Sequence, residues 1–193
     1  MIWGCSLPLF PDDDTRENIP LSEAQSLVPF GICQPSQVPD GVESSPQVIY
    51  HAEGGSQEES DVRLRYHFMD DHELAIEVFQ KYAPGRLADP DLDEADALEA
   101  HRRQLLAWVV DWPEVDKTMP AITVNTNIYE DDKLNYGLFE IIEPASLRAN
   151  MIVWAKEPVG YAVYTRLPTD EAKQVVESMS DCSPNLIGTP TSR

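Results

Sequence analysis

The stretch that decides the fold reads Trp154-Ala-Lys-Glu-Pro-Val-Gly-Tyr-Ala-Val-Tyr-Thr-Arg-Leu-Pro-Thr-Asp-Glu-Ala-Lys-Gln-Val-Val-Glu-Ser-Met179. Its first part places aromatic segments on both sides of a Pro-Val-Gly turn, which is typical of a β-hairpin. Thr169 then serves as the predicted N-cap of a helix, because its hydroxyl can accept from orphan backbone N–H groups. Apolar residues follow at positions i, i+3, i+4 and i+7, namely Ala172, Val175, Val176 and Met179. A closing hairpin and a helix that packs on the domain are therefore predicted.

Residues 61–69 alternate between apolar and polar side chains, which is typical of a half-buried strand. A second alternating stretch follows a polar turn. We predict an antiparallel hairpin in which Phe68 lies opposite Leu74. This register also places Arg65 opposite Glu77 as a favourable pair on the polar face. A slip by one residue would mix apolar and polar faces, so the register is well specified.

The remaining elements complete an α+β fold. A short helix is predicted at 21–28, with Ser22 as N-cap and Pro29 as its end. Further strands are predicted at 47–51, 121–129, 136–142 and 150–155. We expect a single antiparallel β-sheet of six to seven strands, with the N- and C-terminal helices packed on one face and one inserted helix.

The chain divides into three parts by composition. Residues 1–20 are rich in Pro and Asp and are predicted to be a tail or linker. Residues 21–182 form the single α+β domain, in which residues 84–120 are a helical insertion. Residues 183–193 are predicted to be a disordered C-terminal tail.

The inserted helix carries a stripe of apolar residues that includes Trp108 and Trp112. Packing of this stripe on the domain is the simplest expectation. The alternative is that the two tryptophans form a surface for a protein partner.

The charge of the chain excludes some partners. With 34 acidic and 14 basic residues the formal net charge is −20, which repels phosphate backbones and anionic lipid surfaces. No nucleic acid is therefore expected as a partner. Solubility and self-repulsion explain the charge most simply, and a DNA-mimicking inhibitor is the sharper alternative.

The three cysteines are too few for a disulfide scaffold. Cys5 follows a small residue, Gly4, as at the end of a lipoprotein signal peptide that lacks its first part. Cys5 is therefore a candidate lipidation site. The alternative is that the chain has an arbitrary start. A membrane contact is expected only through such an anchor, because the chain has no long apolar stretch. Cys33 and Cys182 then form a candidate disulfide, or else two thiols.

Motifs for metals and catalysis are missing from the sequence. Asp89-x-Asp91-x-Asp93 resembles the beginning of an EF-hand loop, but Glu94 stands where glycine is needed and Ala100 where glutamate is needed. The histidines lack the spacing of zinc ligands, and no nucleophile motif occurs. We therefore predict no catalytic residue, no metal site and no cofactor.

Two segments carry a resemblance to a family. The entry Leu21-Ser-Glu-Ala-Gln-Ser-Leu-Val-Pro-Phe30 with Pro35-x-x-x-Pro39-x-Gly41, and the exit at 154–179, resemble a bacterial domain of unknown function. That domain lies at the C-terminal end of anti-sigma-factor-like membrane proteins and some lipoproteins. The resemblance covers 21–83 and 121–180, and it implies an extracytoplasmic sensory or interaction domain. Because no sigma-binding segment is present, it implies a tethered or secreted version.

The sequence thus favours a non-enzymatic extracytoplasmic module that binds a protein, peptide or small ligand. Binding would use one sheet face or strand addition at a sheet edge. One alternative is a hydrolase whose site is assembled from dispersed residues, for example a histidine with a carboxylate or with Cys33. The other alternative is an acidic cytoplasmic interaction or inhibitor protein.

Overall fold

A computed structural model describes residues 13–82, 124–130, 135–141, 149–156 and 158–179. These residues form one antiparallel β-sheet and two α-helices, which agrees with the predicted α+β class. The strands are β1 Asp14–Glu17, β2 Gln47–Ala52, β3 Ser60–His67, β4 Leu74–Tyr82, β5 Val124–Glu130, β6 Asn135–Ile141, β7 Ala149–Lys156 and β8 Val159–Thr165. The helices are α1 Leu21–Leu27 and α2 Thr169–Glu177, and two 3-10 turns occupy Glu53–Gly55 and Gln57–Glu59.

The sheet consists of two four-stranded meanders joined side by side. The strand order is β1-β2-β3-β4-β8-β7-β6-β5, so β4 and β8 meet in the middle and the strands β1 and β5 lie at the ends. All paired strands are antiparallel. The predicted insertion at 84–120 lies outside the described residues, as does the predicted tail at 183–193.

The sheet has eight strands, one more than the largest number predicted. The additional strand is β1, which lies in the segment predicted as a tail or linker. It is short and lacks an apolar alternation, and it pairs with β2 so that Thr15 lies opposite His51. The Arg16 guanidinium lies 6.0 Å from the ring centroid of Tyr50 and 2.9 Å from Asp14, which helps to hold β1 in place.

The predicted register of the β3–β4 hairpin is confirmed for most of its length. Arg65 lies opposite Glu77, as expected. At the turn end the register shifts, so that His67 and not Phe68 lies opposite Leu74. The prediction was wrong at this point because Phe68 pairs elsewhere, in an isolated bridge with Val42.

The closing hairpin is also confirmed. Strands β7 and β8 pair with Lys156 opposite Val159, so the turn lies between these two residues and includes Pro158. Val159 and Gly160, which were predicted to belong to the turn, already belong to β8. Trp154 lies opposite Tyr161, and their rings stack with centroids 5.0 Å apart.

Both predicted N-caps were wrong, Ser22 by two residues and Thr169 by one. Helix α1 begins at Leu21 after Pro20, and α2 begins at Thr169 after Pro168; neither cap residue makes a side-chain hydrogen bond. In each case proline gives the extended entry, with ψ of 143° and 148°. The Thr169 hydroxyl instead donates to Asn150 Oδ1 at 3.3 Å.

One face of the sheet carries the core. Along each strand, side chains that point to this face alternate with side chains that point away from it. Both helices contribute buried side chains to the apolar cluster on this face. The four apolar positions predicted for α2 are all buried. We call this side the core face, represented by Val62, Leu64, Ile76, Val78, Tyr161 and Val163. Among the described helices, none is long and apolar enough to cross a membrane.

Candidate functional site

The other side of the sheet concentrates the charged groups. The alternate residues of β3 that point away from the core are Asp61, Arg63 and Arg65, and neighbouring strands place partners beside them. We call this side the charged face, defined by His51, Asp61, Arg63, Arg65, Glu77, Phe79 and Tyr164. It is built by β2, β3, β4 and β8.

Asp61 organises the first part of the charged face. Its side chain is only 7% exposed, and its Oδ2 lies 3.0 Å from Nδ1 of His51 on the adjacent strand. Its other oxygen, Oδ1, accepts from Nε of Arg63 at 3.4 Å. Both carboxylate oxygens therefore have partners, as burial of a charge requires.

Glu77 organises the second part in a similar way. Its side chain is 3% exposed, and its Oε2 accepts from Nε of Arg65 at 2.6 Å. This is the cross-strand pair that the sequence predicts. A carboxylate this well buried would be costly without the guanidinium beside it.

The two arginines share a geometry. Each is anchored to a buried carboxylate through Nε, and the Nη groups of Arg63 and Arg65 make no hydrogen bond within the described part of the chain. Arg63 lies above the ring of Phe79, with 5.4 Å between Cζ and the ring centroid. The arginine side chains are 39% and 34% exposed. The cations therefore lie outermost and the carboxylates lie beneath them.

Tyr164 borders this cluster on β8, opposite Glu77. Burial raises the pKa of its phenol to about 12, and the negative charge of Glu77 adds to that effect while Arg63 opposes it. The phenol therefore stays neutral over the physiological range. Beyond it the face becomes apolar, because Met151 lies opposite Tyr164 on β7 and is fully buried.

The residues predicted from the sequence as site candidates lie elsewhere. Cys33 is buried, with its Sγ 3.6 Å from Oη of Tyr161 on the core face, so it does not join the charged face. Cys5, Cys182, Trp108 and Trp112 lie outside the described residues. The lipid anchor, the Cys33–Cys182 bridge and the tryptophan surface therefore stay predictions.

Most of the charged face was not predicted from the sequence. The alternation in β3 and β4 predicts the pair of Arg65 and Glu77. The contact between His51 and Asp61 was not predicted, because no register was predicted between β2 and β3. The available signal was the β2–β3 connection, which brings the two residues opposite each other. In the described part of the chain, no group of three His, Cys, Asp or Glu residues is arranged to hold a metal ion.

Comparison with known proteins gives no match for this chain, whether with protein-family models, curated proteins or solved structures. The arginines and buried carboxylates of the charged face are therefore the basis for a functional proposal.

Proposed function

We propose that this protein is a non-enzymatic binding module that holds a peptide or small ligand against the charged face of its sheet. The observation that carries the proposal is the anchoring of Arg63 and Arg65 by the buried carboxylates of Asp61 and Glu77. Side chains that are ordered before a ligand arrives lose little conformational entropy on binding. An anchored arginine is therefore a better recognition group than a mobile one.

The energetics of ion pairs support recognition over a purely structural role. Burying carboxylates costs desolvation free energy, and apolar residues of similar volume often give equal or greater stability. Asp61 and Glu77 therefore add little to stability that apolar residues would not supply. What they do supply is a fixed position for the guanidinium groups above them.

We also propose that the module works outside the cytoplasm, tethered or secreted. The resemblance of residues 21–83 and 121–180 to an extracytoplasmic domain supports this setting, and Cys5 is the candidate anchor. Peptide mapping without reduction tests it through the cysteines. A Cys33–Cys182 bridge in protein isolated from its native host is the expected result, whereas separate alkylation of both cysteines favours the cytoplasmic alternative.

The binding proposal is tested by NMR with isotope-labelled protein and a fragment library that contains acidic, neutral and basic compounds. We expect hits to shift amide signals of β2, β3, β4 and β8. The double variant Asp61→Asn/Glu77→Gln should weaken those hits, because it releases both arginines. Asp14→Asn is the matched control, since Asp14 also pairs with an arginine but lies on β1. Hits confined to other surfaces, or none at all, contradict the proposal.

A second candidate function rests on the contact between His51 and Asp61. A buried carboxylate 3.0 Å from Nδ1 fixes the imidazole ring and leaves Nε2 as a potential general base toward water. This arrangement favours the hydrolase alternative without Cys33, which lies on the core side. Hydrolysis of a fluorogenic ester panel that disappears in His51→Gln would establish it. Equal rates for the wild type and the variant would exclude this role of His51.

A further inference from the structure

We infer that Arg63 and Arg65 form a two-point site for a dianion of the dicarboxylate class, with one carboxylate on each guanidinium. This inference rests on the proposed function, because it names the ligand class of the same face. Neither the net charge nor any sequence motif points to such a ligand, and it follows from the geometry of β3.

The spacing of the two arginines sets the distance between the negative groups. Arg63 and Arg65 are two residues apart on one strand, so their side chains leave the same face. A strand rises about 3.3 Å per residue, which separates the two positions by about 6.6 Å. Because Arg63 pairs with Asp61 on its own strand and Arg65 pairs with Glu77 on β4, the guanidinium separation differs from this backbone spacing. A ligand that satisfies both guanidiniums has to match the guanidinium separation with its two carboxylates.

The anchoring also determines which edge of each guanidinium faces a ligand. Nε of both arginines is taken by a protein carboxylate. Among the described residues, the edge formed by the two Nη groups has no hydrogen-bond partner. This fork matches the two oxygens of a carboxylate. Each arginine can therefore accept one carboxylate without releasing its own partner.

The depth of the charges favours an anion even though the whole chain is acidic. The arginine side chains are 39% and 34% exposed, against 7% and 3% for the carboxylates that anchor them. An approaching ligand meets the cations first. The net negative charge of the rest of the chain acts on a ligand over a longer range. Salt screens this repulsion beyond about 8 Å at physiological ionic strength. A compact dianion fits these conditions, whereas an extended polyanion reaches the acidic surroundings.

Two contact points are needed for useful affinity. A single exposed ion pair contributes little, and each arginine here is already partly neutralised by its own carboxylate. Two contacts made by one molecule reinforce each other, because the second one forms within the complex. The site therefore discriminates by the distance between carboxylates.

The experiment is a calorimetric titration of the full chain with linear dicarboxylates from malonate to suberate at fixed pH and salt. The expected result is an affinity maximum at one chain length, with the matching monocarboxylate and diamide about tenfold weaker or more. Inorganic phosphate should also bind more weakly than the best dicarboxylate, because its charges share one centre. An affinity that does not depend on chain length, or phosphate as the best ligand, overturns the two-point site.

Variants assign the effect to the two arginines. Arg63→Gln and Arg65→Gln should each lower the affinity of the best dicarboxylate to that of a monocarboxylate. Arg65→Gln/Glu77→Gln removes the same cation without leaving a buried charge unpaired, so it covers the case in which the single variant unfolds. Arg16→Gln is the matched control. Arg16 lies on β1, is 41% exposed, pairs with Asp14 and lies above the ring of Tyr50 on β2. Equal weakening by Arg16→Gln contradicts the assignment.

The outcomes also separate this inference from the proposed function. If neutral or basic fragments shift the charged face while dicarboxylates do not bind, the module binds there but the ligand class is wrong. If no compound shifts that face, both proposals fail together.

Discussion

The side chain of Gln80 hydrogen-bonds to both the backbone N–H and the backbone carbonyl of Cys33. Its Oε1 accepts from the Cys33 N–H at 2.7 Å, and its Nε2 donates to the Cys33 carbonyl at 2.9 Å. Gln25 acts similarly nearby, donating to the Phe30 carbonyl and accepting from the Ile32 N–H. Two glutamines thus hydrogen-bond the backbone of a segment that belongs to no strand. Gln80 connects it to β4 of the sheet, and Gln25 connects it to α1.

Replacement of Gln80 by leucine should destabilise the protein by about 3 kcal/mol, because it removes two buried hydrogen bonds to the backbone of Cys33. Urea unfolding followed by circular dichroism measures the change. Gln34→Leu is the control, since Gln34 lies on the same segment and is exposed; it should change stability by less than about 0.5 kcal/mol. Equal stability of Gln80→Leu and the wild type would show that water replaces the lost bonds.

The difference between Arg65 and Gln80 shows what the sequence can predict here. The Arg65–Glu77 pair follows from alternation within one hairpin, where the chain itself specifies the partner. The partner of Gln80 lies 47 residues away on an irregular segment. Periodicity carries no information about such a contact, and a polar residue in a buried strand position only breaks the pattern.

The same distinction applies to the charged face and to β1. His51 contacts Asp61 only after β2 and β3 pair, across the two 3-10 turns at Glu53–Gly55 and Gln57–Glu59. Strand β1 has no pattern of its own and exists through its pairing with β2. Local alternation therefore predicts hairpins well, whereas contacts between them need the sheet order.

The Arg65–Glu77 pair allows a test of the cost of a buried charge. Arg65→Met leaves the Glu77 carboxylate buried and unpaired, and we expect a loss of about 2 kcal/mol, because Arg65 itself is partly exposed. The double variant Arg65→Met/Glu77→Leu should return to within about 1 kcal/mol of the wild type. Chemical unfolding of the three proteins checks this. A double variant less stable than Arg65→Met would mean that the pair itself stabilises the fold.

Two buried tyrosines should make the protein sensitive to alkali. Burial raises the pKa of Tyr66, and it raises the pKa of Tyr164 to about 12. The unfolded chain loses these protons near pH 10 while the folded chain keeps them, so stability is complete below about pH 10 and falls as the pH rises toward 12.

Ultraviolet absorbance of tyrosinate follows this titration directly. We expect Tyr66 and Tyr164 to be among the tyrosines that ionise late, together with unfolding, and we expect a lower melting temperature at pH 11 than at pH 9. Tyr164→Phe should remove part of that decrease, because one late proton is lost. A melting temperature that does not change over this interval contradicts the burial of both phenols.

The stacked pair Trp154 and Tyr161 joins β7 to β8 in the segment that decides the fold, with ring planes only 5° apart. A double-mutant cycle with Trp154→Leu and Tyr161→Leu should give a coupling free energy of about 1 kcal/mol, beyond the burial lost in each single variant. The control cycle combines Trp154→Leu with Val48→Ala, which lies on β2, four strands away in the sheet order, and should be additive. Coupling of similar size in both cycles would mean that the core responds as a whole. Coupling confined to the aromatic pair would mean that the cross-strand contact of Trp154 and Tyr161 itself stabilises the hairpin.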